Sequence, residues 1–154
     1  MVGAGDAGAD LMATAEQVGL RLAEAAAVLF CGGLGGVMEA ACRGAREAGG
    51  LTVGILPGTD RAAANPFVQV AIPTGMGEMR NALVVRAGEA VIAVGGGYGT
   101  LAEIGLALKA RTPVVGIATW DLARPGRAID EVERAESAAE AVERALAHAR
   151  RRGG

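Results

Sequence analysis

Apolar positions in this chain come as short runs with almost no charge, each followed by a break and then a longer mixed segment. The runs at 27–31, 51–56, 67–72, 89–94 and 113–118 are too short for helices and rich in β-branched residues, so they predict strands. The segments at 9–26, 37–48, 75–87 and 100–110 are longer and mix apolar with polar residues, the first of them rich in Ala, Leu and Glu, and predict helices. Ser137-Ala138-Ala139-Glu140 has the spacing of a capping box and predicts a last helix running to about Arg150. Asn65-Pro66 and Pro125-Gly126 mark turns, and the tail from Arg150 to Gly154 is expected to fray. Apolar strands alternating with helices predict a Rossmann-like α/β fold, a doubly wound parallel sheet in a single domain over 1–154. The first strand of such a sheet is usually central. Here Met1-Val2 runs straight into Gly3-Ala4-Gly5-Asp6-Ala7-Gly8, so that strand is expected to be truncated. Either the natural start lies upstream of Met1 or the middle of the sheet is stunted.

Composition narrows the function classes. The chain is 51% hydrophobic but only 3% aromatic, so its core is built from Ala, Val, Leu and Ile. The 25 glycines cluster at the ends of apolar runs, which marks tight turns. A net charge of -2 gives no electrostatic footprint for nucleic acid. No uncharged stretch reaches membrane-spanning length before Gly or Pro interrupts it. Asp6 and Asp10 argue against a signal peptide. Two cysteines, Cys31 and Cys42, suit a reduced, cytoplasmic protein. His148 is the only histidine, which disfavours Ser-His-Asp, Cys-His and zinc chemistry. Lys109 is the only lysine and falls at a helix end, a poor position for a Schiff base.

The chemistry is expected at glycine loops. Gly95-Gly96-Gly97-Tyr98-Gly99-Thr100 follows a strand and opens a helix, so free N–H groups and the positive end of the helix dipole face the loop. That arrangement attracts phosphate. Gly32-Gly33-Leu34-Gly35-Gly36 follows another strand, and both loops are expected at the carboxyl edge of the sheet, in one pocket. Gly3, Gly5, Gly32, Gly33, Gly35, Gly96, Gly97, Tyr98, Gly99 and Thr100 are the candidate ligand-binding positions. The first glycines also match G-x-G-x-x-G, but 27–31 ends without the acidic residue that a dinucleotide site needs for its ribose. Thr100-Leu101-Ala102-Glu103 reads as a capping box, so Glu103 either bonds back to Thr100 or meets a ligand held by the loop. Arg80 lies in the first turn of its segment, where a cation opposes the helix dipole; it is either a surface arginine or a partner for Glu78, or it holds phosphate.

The run Gly95-Gly96-Gly97-Tyr98-Gly99-Thr100-Leu101-Ala102-Glu103 resembles the P-G-G-x-G-T-x-x-E signature of the Lonely Guy proteins, long mislabelled lysine decarboxylases. The single lysine agrees that the label is wrong. The similarity extends from Gly3 to Gly116 and includes the loop at 32–36. Characterised members of that family are phosphoribohydrolases, which cleave the N-glycosidic bond of a nucleoside 5'-monophosphate. The resemblance puts their catalytic arginine and glutamate on Arg80 and Glu103. It implies a homodimer or homotetramer, consistent with the apolar Met76, Met79, Leu83, Val84 and Val85. The sequence departs from the active enzymes at Gly77-Glu78-Met79-Arg80-Asn81, where their M-H-x-R-K His and Lys are missing. Val94 also replaces the motif's proline. Those departures are more similar to a sister branch of bacterial proteins and to molybdenum-cofactor carriers, which bind a phosphorylated pterin without chemistry. Two functions follow: a nucleotide-binding hydrolase that needs no cofactor, toward which the Arg80–Glu103 pair leans, and a non-catalytic carrier of a phosphorylated cofactor as the alternative.

Overall fold

The computed structural model describes residues 1–128 and 131–152. Strand β1 (Val2–Gly3) leads to helix α1 (Ala9–Glu24), then β2 (Leu29–Cys31), α2 (Val37–Glu47) and β3 (Thr52–Leu56). Next come β4 (Val70–Pro73), a 3-10 turn at Gly77–Arg80, α3 (Asn81–Ala87), β5 (Val91–Val94) and α4 (Tyr98–Lys109). Strand β6 (Val114–Ile117), a hairpin of β7 (Ala123–Arg124) and β8 (Arg127–Ala128), β9 (Val132–Arg134) and α5 (Ala138–Arg152) complete the order. Apart from the hairpin, every strand pair is parallel. The architecture is the expected single-domain, Rossmann-like α/β fold.

The short first strand shapes the sheet. Two residues carry a ladder to β5 only, so the strands form two blocks, β1-β5-β6-β9 and β2-β3-β4. The Met1 ammonium bridges the seam by donating to the Phe30 carbonyl at 2.6 Å. Side chains alternate across the sheet as the pleat requires. Ile92 and Val94 pack with α1, α2 and α5 in one layer, while Val91 and Ala93 pack with α3 and α4 in the other.

With few aromatics to fill space, the helices approach backbone to backbone. A Cβ on Gly19 of α1 would stand 1.9 Å from the Ala41 carbonyl oxygen of α2, and one on Gly44 would stand 2.0 Å from that of Glu16. The Arg43 guanidinium closes the crossing with two bonds to the Glu16 carboxylate, at 3.1 and 2.7 Å. The start of α2 is tied to the first loop by the Val37 N–H, which donates to the Ala4 carbonyl at 3.0 Å. Gly36 sits there with φ +65°, and a side chain would strike the Gly5 and Ala4 carbonyls at 2.4 and 2.5 Å.

Several local expectations shift. Helix α4 starts at Tyr98 with Gly97 as its N-cap, so Thr100 is inside the helix and caps nothing. The 75–87 segment splits into a 3-10 turn and a short helix because Gly75 and Gly77 take φ +65° and +55°. The strand expected at 67–72 begins only at Val70, since Thr52 and Asn65 fold 65–69 into a turn through bonds to Phe67. The last helix continues through Arg152 instead of fraying at Arg150; Gly153 and Gly154 lie outside the described residues. Its capping box is shifted by one: Glu140 N–H donates to Ser137 Oγ at 3.2 Å, while the Glu140 carboxylate takes the N–H of Glu136 at 2.9 Å. Among the described residues, no helix is long and apolar enough to cross a membrane.

Candidate functional site

Strands β1 and β5 are neighbours, so their C-terminal loops open side by side. Val2 aligns with Ala93 and Gly3 with Val94. The chain then leaves β5 through Gly95 (φ +57°) and Gly96 (φ +138°), and a side chain at Gly96 would lie 2.6 Å from Thr100 Cβ. These two glycines are required by the turn itself. Gly97 and Gly99 differ: a Cβ on either meets nothing within 4 Å, and the same holds for Gly5 and Gly8. All four line one cleft of about 780 Å³, together with Gly3, Gly96 and Thr100. Packing gives no reason for their bareness, which leaves main-chain N–H groups open to a ligand.

Arg80 and Glu103 line the same cleft. Arg80 is only 7% exposed, and its Nε and Nη1 are buried without a hydrogen-bond partner. Burial holds its guanidinium below the usual arginine range, against the opposing pull of Glu103 and Cys31. A cation shut from water with unused donors is costly unless something pairs with it. No ion pair joins Arg80 to Glu78 among the described residues. Both Glu78 and Asp6 line the cleft from exposed positions, where solvent screens their charge.

Glu103 projects from the second turn of α4 and is 8% exposed. Because Thr100 is not a cap, the capping-box role for Glu103 falls away. Burial pushes its carboxyl up to about 7, despite the opposing charges of Arg80 and the chain's amino group. At neutral pH this carboxyl is therefore poised between its two forms, in a cleft that also contains a buried guanidinium.

The second glycine loop plays another part. Leu34 and Met38 reach the cleft, but Gly32, Gly33 and Gly35 are not among its lining residues. Gly32 makes room for Arg80: a side chain there would lie 2.4 Å from Nη1 and 2.8 Å from Nη2. Gly33 is packed against Leu56 and Gly54, and its N–H donates to Cys31 Sγ at 3.3 Å. Cys31 and Cys42 are buried with their sulfurs 3.5 Å apart. That contact lowers the Cys31 thiol to about 7 and raises that of Cys42. Tyr98 points away into solvent, 83% exposed, against Trp120. Asn81, Leu34 and Met38 fall within or beside the motifs but were not singled out as site residues; their place in the cleft is set by the turn before α3, the second glycine loop and the first turn of α2.

Residues 1–149 match the SLOG cluster4 family, and the chain belongs to that family. An uncharacterised protein of Archaeoglobus fulgidus is 47% identical over 109 residues, which cover 71% of this chain and 72% of the relative. The molybdenum cofactor binding protein of the phototrophic bacterium Rippkaea orientalis superposes with a TM-score of 0.85 at 37% identity, over 92% of this chain and 90% of that one. The molybdenum cofactor carrier protein of Chlamydomonas reinhardtii gives 0.82 at 32% identity, over 96% and 94%. These likenesses place the chain in the Lonely Guy-like superfamily, on the carrier-like sister branch.

Proposed function

We propose that this protein is a non-catalytic carrier that binds a phosphorylated cofactor of the molybdenum-cofactor type in the cleft between β1, α3 and α4. The observation that carries the reading is the buried, unpartnered guanidinium of Arg80 facing a loop of glycines that packing does not require. A phosphate seated at the N-terminus of α4 would take N–H bonds from the 97–100 backbone and satisfy Arg80. A cleft of about 780 Å³ accommodates a ligand of cofactor size. The two named neighbours, one a cofactor-binding protein and one a carrier, support the same choice. In this reading Gly3, Gly5, Gly96, Gly97, Gly99 and Thr100 surround the ligand. Gly32 clears space for Arg80 and Gly33 packs behind it, while Gly35 and Tyr98 are not among the cleft's lining residues. The test is transfer: cofactor released from a molybdoenzyme is mixed with the protein, and the protein peak from gel filtration is assayed for bound molybdenum and pterin fluorescence. A peak carrying neither would end the proposal.

One observation favours the hydrolase as a second reading. Glu103 titrates near 7 beside Arg80, a fit state for general acid–base work on a glycosidic bond. Incubation with nucleoside 5'-monophosphates and detection of free base decides between them; turnover removed by Glu103→Gln would favour the enzyme. We also propose a homodimer or homotetramer in the cytoplasm. Val70 and Ile72 on the edge strand β4, with Met76, Met79 and Leu83, are all more than 40% exposed. Light scattering that gives a monomer mass at micromolar concentration rejects the assembly.

A further inference from the structure

The cleft does not end at the glycine loop. Gly96 also borders a second hollow of about 350 Å³, formed with Ala118, Thr119, Trp120 and Asp121 beyond the end of β6. Four features mark this hollow as built for a ligand. The chain's only tryptophan lines the hollow and meets the only tyrosine, Tyr98, their ring centroids 5.8 Å apart and tilted by 33°. Trp120 is held in place by its indole N–H, which donates to the Gly97 carbonyl at 3.1 Å, so the ring is fixed to the phosphate loop itself. Ala118 turns the chain with φ +46°, a left-handed conformation that a residue with a Cβ rarely adopts. The next side chain, Thr119, has a buried Oγ1 with no hydrogen-bond partner. In a chain with so few aromatics, a tethered ring pair is otherwise poorly used at an exposed rim.

We propose that this second hollow is the heterocycle subsite of the same ligand. It would take a flat, fused nitrogen ring carrying the 2-amino-4-oxo pyrimidine edge that pterins and guanine share. The ring stacks on Trp120 with Tyr98 as its flank, while the phosphate lies across Gly96 at the α4 N-terminus. Asp121 presents an acceptor-only carboxylate, held by an ion pair to Arg134. That group matches the adjacent N–H donors of a 2-amino-4-oxo ring and mismatches the mixed edge of adenine. Thr119 Oγ1 gains a partner when the ring is bound. The assignment rests on the phosphate reading of the first cleft and adds to it the class of ring and the residues that choose it.

Calorimetric titration of the full chain with guanosine 5'-monophosphate, neopterin monophosphate, adenosine 5'-monophosphate and ribose 5-phosphate tests it. Both 2-amino-4-oxo compounds are expected to bind at least tenfold more tightly than ribose 5-phosphate, and the tighter of the two identifies the ring. Adenosine monophosphate is expected to fall between. Trp120→Leu and Tyr98→Ser should weaken both 2-amino-4-oxo compounds by at least tenfold more than they weaken ribose 5-phosphate, which feels only the lost indole bond to Gly97; Trp120→Phe loses that bond too but keeps a stacking face and should retain most of the excess. Equal affinity for ring-bearing and ringless phosphates overturns the subsite, as does an equal loss for every compound in the aromatic variants. If no phosphate binds but guanosine and neopterin still quench Trp120 fluorescence, the subsite stands and the phosphate reading fails. If nothing binds at all, both fall.

Discussion

Replacing Glu103 by glutamine sets two opposing effects on one side chain against each other. Burial raises the carboxyl and the Arg80 charge lowers it; the net result is a carboxyl at about 7, against an ordinary 4.5. The folded protein therefore keeps the Glu103 proton up to about pH 7, while the unfolded chain releases it near 4.5. Between those values the folded state binds more protons, and stability falls as pH rises. At about 1.4 kcal/mol per pKa unit, the loss across the window is about 3 kcal/mol. That is a sizeable part of the roughly 5–15 kcal/mol that holds a domain of this kind folded. Glutamine keeps the size and cannot ionise, so Glu103→Gln should be free of the loss. Urea unfolding of both proteins between pH 4 and 8 gives two stability curves. Their difference cancels every other titrating group, including Glu16 and Glu140, whose carboxyls are lowered by Arg43 and by the Glu136 N–H. The variant is expected to gain about 3 kcal/mol on wild type from pH 4 to 8, most of it between 4.5 and 7. A flat difference curve would refute the reasoning, and a curve of opposite sign would mean that Arg80 outweighs burial and the two form an ion pair.

Arg80→Ala should weaken phosphate binding by about 10- to 100-fold, the scale of a lost charge-assisted contact, and raise the Glu103 pKa further; calorimetry and carboxyl titration by NMR check the two halves. Gly97→Ala and Gly96→Ala should part company. The first meets open space and ought to fold normally with reduced anion affinity, whereas the second collides with Thr100 at a positive φ and ought to lower the urea midpoint. Gly19→Ala improves helix propensity by about 1 kcal/mol, yet it drives a methyl into the Ala41 carbonyl. A net destabilisation of about 2 kcal/mol or more is expected, and a more stable variant would show that α1 and α2 separate easily. Because Cys31 and Cys42 are both fully buried, an aromatic disulfide reagent should label them at the rate of unfolding rather than on mixing.

The fold was legible because most of its strands are short and apolar, and glycine closes β1, β2 and β5. What escaped the sequence was decided by contacts between distant segments. Strand β9 is polar and becomes a strand only by pairing Val132, Glu133 and Arg134 with β6. The start of α4 was misplaced by two residues because Thr100 looks like a cap, but Gly97 takes the extended conformation that ends the loop. At the site, Arg80 and Glu103 were identifiable from motif spacing, and both line the cleft. The roles of the glycines were not separable from sequence. A glycine demanded by a turn, one that clears space for a guanidinium and one left bare toward a cleft look alike until the neighbours of a missing Cβ are known. The pairing of Tyr98 with Trp120 joins positions 22 residues apart through the end of β6 and had no local signature.

The bond between Val37 and Ala4, with Gly36 wedged against the same loop, has a kinetic consequence. It latches the Gly3–Gly8 turn to α2, and β5 latches that turn from the other side, so the walls of the cleft are clamped before any ligand arrives. A receptor assembled in advance spends little free energy on ordering its own loops. Association should then proceed in a single phase whose rate rises linearly with ligand concentration, without the plateau that a closing lid imposes. Release should be equally unobstructed, as the proposed carrier role requires.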